Sequence, residues 1–346
     1  MWCRGSAALK SLLSKRCFIN MEQKRNAQVS IVGAANEIGS NLALLLKQNR
    51  YITRLNLYDD DEKVLRIGAE LSEIPKGPVI TSYSGNSFLP ASIRFSHLII
   101  MVSRVPRRPG YTRDQMLEVN APSVQKLCRT MADINPDAFL AISTNPINSI
   151  IPLASSLLFR YSAYDAAKIF GITHIDTCRA RAFASKALNV NPRHLHIPVI
   201  GGHSDQTIIP LFSNITPSHY KVDPCQADTL TRLVKKAGME VINHKLGIDS
   251  ATLAMAWSIN EFVDNILQAM YGDYVVVNSY TSNPHYGTRF FSGPTRVGCY
   301  GIVETCNSNF NMTEYEKHIL GNAVTDINKD VARGEEYARV IAEVKN

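Results

Sequence analysis

Short β-branched, apolar runs alternate with amphipathic stretches through the first half of the chain. Residues 28–32 form such a run and end at Gly33, and the leucines of residues 41–47 recur with helical spacing. This segment therefore predicts a strand, a glycine turn and a helix. Further strands are predicted at residues 54–58, 79–83, 98–102 and 139–142, with a helix over 121–131 whose Pro122 suits a first turn. Strands alternating with helices build an α/β fold with a doubly wound parallel sheet. Beyond Ile150 the helical stretches lengthen, and strands are predicted at 194–200, 274–277 and 288–291, the texture of an α+β unit. A long last helix opens at Thr313-Glu314-Tyr315-Glu316, which has capping-box spacing, and lines up Ile319, Val324, Ile327 and Val331 on one face. No repeat or linker separates the halves, so we expect units at 27–170 and 171–346 in close contact, with a ligand between them.

Charge and cysteine usage narrow this picture. The net charge of +7 raises the possibility of nucleic acid, but Arg4, Lys10, Lys15 and Arg16 fall in a first twenty residues that hold no acidic residue. With Trp2, Leu9, Leu12, Leu13, Phe18 and Ile19 among serines, residues 1–26 have the makeup of a mitochondrial transit peptide, which implies the matrix and no nucleic-acid partner. An ordinary basic N-terminus is the plainer alternative, and Met21 offers a second start. The longest apolar runs, such as Leu98-Ile99-Ile100-Met101-Val102, fall far short of the ~20 residues a bilayer span needs, so no membrane partner is expected. The 7 cysteines are odd in number and lack a Cys-x-x-Cys pair, which argues against a disulfide framework and a zinc site.

The candidate chemistry sits at strand ends. Gly33-Ala34-Ala35-Asn36-Glu37-Ile38-Gly39 occupies a strand-to-helix turn, where helix amides can face a pyrophosphate. Asp59 ends a later strand where a carboxylate would accept from adenosine ribose hydroxyls and repel a 2′-phosphate, which favours NAD over NADP. A solvated acidic turn is the alternative for Asp59. Pro106-Arg107-Arg108-Pro109-Gly110-Tyr111-Thr112-Arg113 is a loop with three arginines, each able to fork a carboxylate or simply to face water. Ser143-Thr144-Asn145-Pro146 follows another strand, and Asn145 can serve cofactor and substrate or cap a helix. Asp176 and Arg179, three apart on a predicted helix, can point into one cleft or merely pair. His203 follows Gly201-Gly202 at a strand end. If Asp176 holds one ring nitrogen, the other can take a hydroxyl proton as hydride leaves.

Together these segments resemble the NAD-dependent malate dehydrogenases of mitochondrial type, over nearly the whole chain after residue 27. The segments are Gly33-Ala34-Ala35, Leu57-Tyr58-Asp59, the arginine loop, Thr144-Asn145-Pro146, Asp176-x-x-Arg179 and Pro198-Val199-Ile200-Gly201-Gly202-His203-Ser204. The resemblance implies a Rossmann-type NAD domain, His203 as proton acceptor and Asp176 as its orienting partner. It also implies Arg179 as the clamp on the carboxylate beside the reacting carbon, Arg113 as a second substrate arginine, and Arg107 as the reader of the distal carboxylate of malate or oxaloacetate. Gly33, Ala34, Ala35, Ile38, Gly39, Asp59, Asn120, Ser143, Asn145 and Met255 are the implied NAD contacts, no metal is implied, and the assembly is a homodimer. Where the family has glycines, this chain has Asn36, Glu37 and Arg104, and Asp205 replaces another; Trp257, Asn260 and Glu261 depart from the small residues and arginine expected after Met255. A side chain at Asn36, an inward Glu37 or the bulk of Arg104 would obstruct the cofactor. The alternative reading is therefore a catalytically silent paralog serving as a binding or assembly protein.

Overall fold

The computed structural model describes residues 27–105, 111–247, 250–305 and 310–343. Six strands, β1 (Ala27–Val32), β2 (Ile52–Asp59), β3 (Val79–Ser84), β4 (Leu98–Met101), β5 (Phe139–Ile142) and β6 (Ile169–Ile172), pair in parallel in the order β3-β2-β1-β4-β5-β6. The order runs outward in both directions from β1, so the crevice at the carboxyl ends of β1 and β4 is the switch point where such sheets bind ligands. The sheet continues through β9 (Val275–Ser282), antiparallel to β6, and then β10 (Phe290–Gly298), β7 (Val199–Gly201) and β8 (Ile208–Pro210), with β11 (Gly301–Thr305) paired to β10.

Helices cover both faces. On one, α1 (Glu37–Leu46), α2 (Lys63–Ser72) and α8 (Thr252–Met270) bury Leu42, Leu46, Phe262 and Ile266 against Val29 and Ile31. On the other, α3 (Leu89–Ile93), α4 (Arg113–Ile134), α5 (Ile147–Arg160) and α9 (Glu314–Glu343) pack Val124, Ile150, Ile327 and Val331 against Ile99 and Leu140. A smaller cluster joins α6 (His174–Leu188) and α7 (Pro224–His244) to β7 and β8.

The expected first-turn placement of Pro122 is wrong. A capping box between Thr112 and Gln115 starts α4 at Arg113, so Pro122 lies in the interior of a 22-residue helix. An interior proline frees the carbonyl four residues earlier, and here the Tyr337 hydroxyl donates to Glu118 O at 3.5 Å. The same repair recurs in α5, where Pro152 frees Asn148 O and the buried Tyr280 hydroxyl donates to it at 3.4 Å. The expected strand at 194–200 shrinks to Val199–Gly201, because Pro192–His194 is a 3-10 turn capped by Asn191. The strands expected at 274–277 and 288–291 extend into β9 and β10, which pair along eight residues. The α9 capping box is present, with Glu316 N donating to Thr313 Oγ1 and Thr313 N to Glu316 Oε2.

Candidate active site

A cavity of about 420 Å³ opens at the switch point and is walled by residues of both halves, including Ile38, Asn145, Met255, Arg113, Arg179 and His203. Ile38, at the start of α1, lines it, whereas Gly33, Ala34, Ala35 and Gly39 of the preceding turn and Asp59 are not among the lining residues. Gly33 has φ of +96°, and a Cβ there would run into the backbone of Ser103. Gly33→Ala is therefore expected to cost at least the ~1–3 kcal/mol of a strained backbone, read as a lower urea midpoint together with weaker NADH binding. Asn36 takes a constructive part in this turn. Its Oδ1 caps α1 by accepting from Gly39 N at 2.9 Å, and its Nδ2 donates to Val102 O at 2.9 Å. Glu37 is exposed in the first turn of α1 and is not among the cavity-lining residues. A carboxylate in a first helical turn also complements the helix dipole. Asp59, half-buried, braces the same turn through Oδ2, which accepts from Ala35 N at 2.9 Å.

The β4 and β5 ends supply the next wall. Asn120, on α4, uses both ends of its amide on backbone, accepting from Val105 N at 2.8 Å and donating to Asn145 O at 2.9 Å. It ties the two loops together. Ser143, buried on the cavity wall, has an Oγ without a hydrogen-bond partner. An orphaned hydroxyl there fits a polar ligand group, since an unsatisfied buried polar atom otherwise costs about 1–3 kcal/mol. Arg104 lines the cavity and donates to Ser250 Oγ at 2.8 Å.

At the base lies the titratable group. His203 Nδ1 donates to Asp176 Oδ2 at 2.6 Å; the carboxylate can only accept, so Nδ1 carries the proton and Nε2 is the basic nitrogen. The side chains of His203 and Asp176 are 10% and 1% exposed. Asp176 Oδ1 has no hydrogen bond but lies 3.6 Å from Arg179 Nη1, so one buried carboxylate contacts both His203 and Arg179. The histidine backbone is fixed too: His203 N donates to Asn148 Oδ1 at 2.8 Å. Gly202 lies against the Asn148 amide and the Thr207 hydroxyl, where a Cβ would collide. The glycine approach thus exists for packing.

Arg113 lines the cavity, hydrogen-bonded to Gln206 and 3.5 Å from Asp330 Oδ2. Arg107 lies outside the described residues. Two charged cavity residues, Asp330 and Lys235, escaped the sequence reading. Asp330, on α9, is buried and joins Arg113 to Asn148, whose Nδ2 donates to it at 3.0 Å. Lys235, on α7, donates to Gln206 O at 3.3 Å, and burial holds its ammonium below the usual lysine range despite Asp205 nearby. Nothing near Lys235 or Asp330 in the sequence points to the cavity. Cys178 is no nucleophile, because burial, with Glu261 adding to it, pushes the thiol up to about 12.

A glycine turn at a Rossmann switch point and an Asp–His pair beside an arginine are matched by family comparison. The description "lactate/malate dehydrogenase, NAD binding domain" matches residues 27–171, and "lactate/malate dehydrogenase, alpha/beta C-terminal domain" matches residues 173–338. The chain belongs to the lactate/malate dehydrogenase family. Its cofactor is NAD. The mitochondrial malate dehydrogenase of Sus scrofa is 35% identical over 328 residues, 94% of this chain and 95% of the relative. That of Caenorhabditis elegans is 34% identical, covering 90% and 91%. Among solved structures, Cryptosporidium parvum malate dehydrogenase aligns with a TM-score of 0.76 at 26% identity, over 90% of this chain and 99% of that one. The lactate dehydrogenase from Cryptosporidium parvum, complexed with lactic acid and nicotinamide adenine dinucleotide, aligns at 0.75 and 22% identity, over 90% and 98%. Members of this family that act on different hydroxy acids thus share the fold, and the choice of substrate rests on the site.

Proposed function

We propose that this family member is an NAD-dependent malate dehydrogenase that interconverts (S)-malate and oxaloacetate. The observation that carries the reading is the His203–Asp176 pair at 2.6 Å in a cavity shared with Arg179 and Arg113, a proton acceptor placed among groups that bind carboxylates. NAD, when bound, accepts the hydride. His203 Nε2 takes the hydroxyl proton, and Asp176 stabilises the resulting imidazolium. Arg179 forks the carboxylate beside the reacting carbon, Arg113 is a second substrate arginine, and Arg107 reads the distal carboxylate. A second charge left unpaired in a closed cleft would be expensive, so these arginines favour a dicarboxylate over lactate or pyruvate. Asn145 orients the substrate oxygen, and Met255, nearly buried, keeps water from the reacting face. Gly33, Ala34, Ala35, Ile38, Gly39, Asn120 and Ser143 form the remaining cofactor wall, residues 27–170 the dinucleotide-binding unit and 171–346 the catalytic one.

Fluorescence titration with NADH followed by oxaloacetate addition tests this directly. Binding followed by turnover, with oxaloacetate preferred over pyruvate, is the expected result; preference for pyruvate overturns the substrate assignment. Asp59 should exclude NADP, since like charges about 4 Å apart near a surface repel by ~4 kcal/mol at most. Asp59→Ser is expected to raise the NADPH:NADH ratio of kcat/KM by at least ~10-fold, which takes ~1.4 kcal/mol.

Arg104 in the cavity favours a second reading, in which the chain binds cofactor too weakly to turn over and serves as a binding or assembly protein. Ordinary micromolar NADH affinity removes its basis. The mitochondrial relatives and the basic, acid-poor residues 1–26 support import into the matrix. A fusion of residues 1–26 to a fluorescent reporter should co-localise with mitochondria. The assembly proposed is a homodimer, expected at twice the chain mass by light scattering.

A further inference from the structure

Helix α6 carries a second set of polar side chains on a different face from Asp176 and Arg179. His174 and Cys178, one turn apart, meet Glu261 of α8: His174 Nε2 is 3.2 Å and Cys178 Sγ 3.9 Å from Glu261 Oε2. One ligand atom from each of the three lies within 4.8 Å of the others, the one such grouping of His, Cys, Asp and Glu among the described residues. His174 and Glu261 border a cavity of about 210 Å³ that is separate from the active site and is also lined by Thr177, Arg181, His196 and Asn278.

We propose that His174, Cys178 and Glu261 form a zinc site that ties α6 to α8. Imidazole, thiolate and carboxylate together suit Zn²⁺, whereas Mg²⁺ and Ca²⁺ take oxygen ligands. Bond lengths of about 2.0–2.3 Å in a tetrahedral shell place ligand atoms roughly 3.4–3.7 Å apart. The His174–Glu261 and Cys178–Glu261 separations of 3.2 and 3.9 Å bracket that spacing, and the His174 and Cys178 ligand atoms are within 4.8 Å of each other. The fourth position faces the cavity, which has room for water.

A plain His174–Glu261 ion pair is the competing account, but it gives Cys178 no role. A Cys–His catalytic pair fits less well, because both side chains contact Glu261 and no contact joins them. Arg181 faces the cluster as an opposing cation; its Nε donates to Pro192 O at 3.4 Å, and the two anionic ligands balance the metal's charge. On binding, the thiol proton passes to solvent. The cysteine spacing gave no sign of the site because its third ligand is 83 residues from Cys178. The metal would clamp the helix bearing Asp176 and Arg179 to the helix bearing Met255.

Full-length protein stripped with a chelator and titrated with Co²⁺ tests this independently of turnover. We expect one equivalent per chain, a near-ultraviolet thiolate-to-cobalt band, its displacement by Zn²⁺, and a Zn²⁺-dependent rise in thermal midpoint. Cys178→Ser should abolish the band and the rise, and Glu261→Gln should weaken Co²⁺ binding at least tenfold. If Cys178→Ser does not fold, His174→Gln, at a partly accessible position, is read instead and should lose the same signals. Absence of the band in the wild-type chain, or its persistence in the folded variants, overturns the proposal.

Discussion

His203→Gln is expected to lower kcat for NADH-dependent reduction of oxaloacetate by roughly 10²–10⁴-fold, the usual worth of a positioned general acid. NADH affinity should stay within about threefold, less than the ~1.4 kcal/mol of a tenfold change, because the substitution alters only the side chain held by Asp176. The glutamine amide can donate to Asp176 as the imidazole did, so the buried carboxylate keeps a partner and the fold should survive. It cannot carry a proton to the substrate. Asp176→Asn should produce a smaller loss, since the histidine remains but its imidazolium is no longer offset by charge. The two residues act as one unit at 2.6 Å, so the double variant should be scarcely slower than His203→Gln alone. Stopped-flow single turnovers with fluorescence-monitored NADH binding make the comparison. Additive losses would show that Asp176 supports the site by some route other than His203.

The interior of the fold was readable where one period of hydrophobicity ran long enough. β4 and β5 lie within a residue of their expected limits because each is a continuous apolar run, and β1 and β2 within two because β-branched and apolar residues recur through them between turn residues. β6, β8 and β11 escaped notice. Ile169–Ile172 is interrupted by Gly171, Ile208–Pro210 is three residues long, and Gly301–Thr305 is half polar, so none carries a period of its own. Their pairing is set by neighbours distant in sequence, which local pattern cannot show. The site followed the same division. Asp176, Arg179 and His203 were visible because they sit at strand ends or on one helix face, whereas Asp330 reaches the cavity from α9, 182 residues after its partner Asn148.

The substitutions that clouded the sequence reading separate once local geometry is known. Replacing a glycine by Asn36 looked obstructive because a turn facing phosphate must stay open. The asparagine instead serves as N-cap, a role worth about 0.5–2 kcal/mol relative to alanine, and turns its amide toward Val102. Glu37 follows it outward. Arg104 remains in the cavity, hydrogen-bonded to Ser250 in the segment preceding α8. Arg104→Gly should therefore tighten NADH binding if that side chain impedes the cofactor, a change that the same titration detects.

Arg179→Gln is expected to have the second large effect, on substrate and not on cofactor. Losing one partner of a buried, hydrogen-bonded charge pair costs about 2–5 kcal/mol, which corresponds to a roughly 30- to several-thousand-fold fall in kcat/KM for oxaloacetate. Most of that should fall on KM if the arginine grips the carboxylate equally in ground and transition states. The same change removes the cation 3.6 Å from Asp176 Oδ1, an oxygen with no hydrogen bond of its own, so the thermal midpoint should also drop. Arg179→Lys separates the two roles. A lysine restores charge near Asp176 and should recover most of the stability, but it cannot fork a carboxylate and should recover little of the affinity. If both variants lose stability while the KM for oxaloacetate stays unchanged, Arg179 serves only the buried ion pair, and carboxylate recognition must pass to Arg113, Lys235 and the loop carrying Arg107.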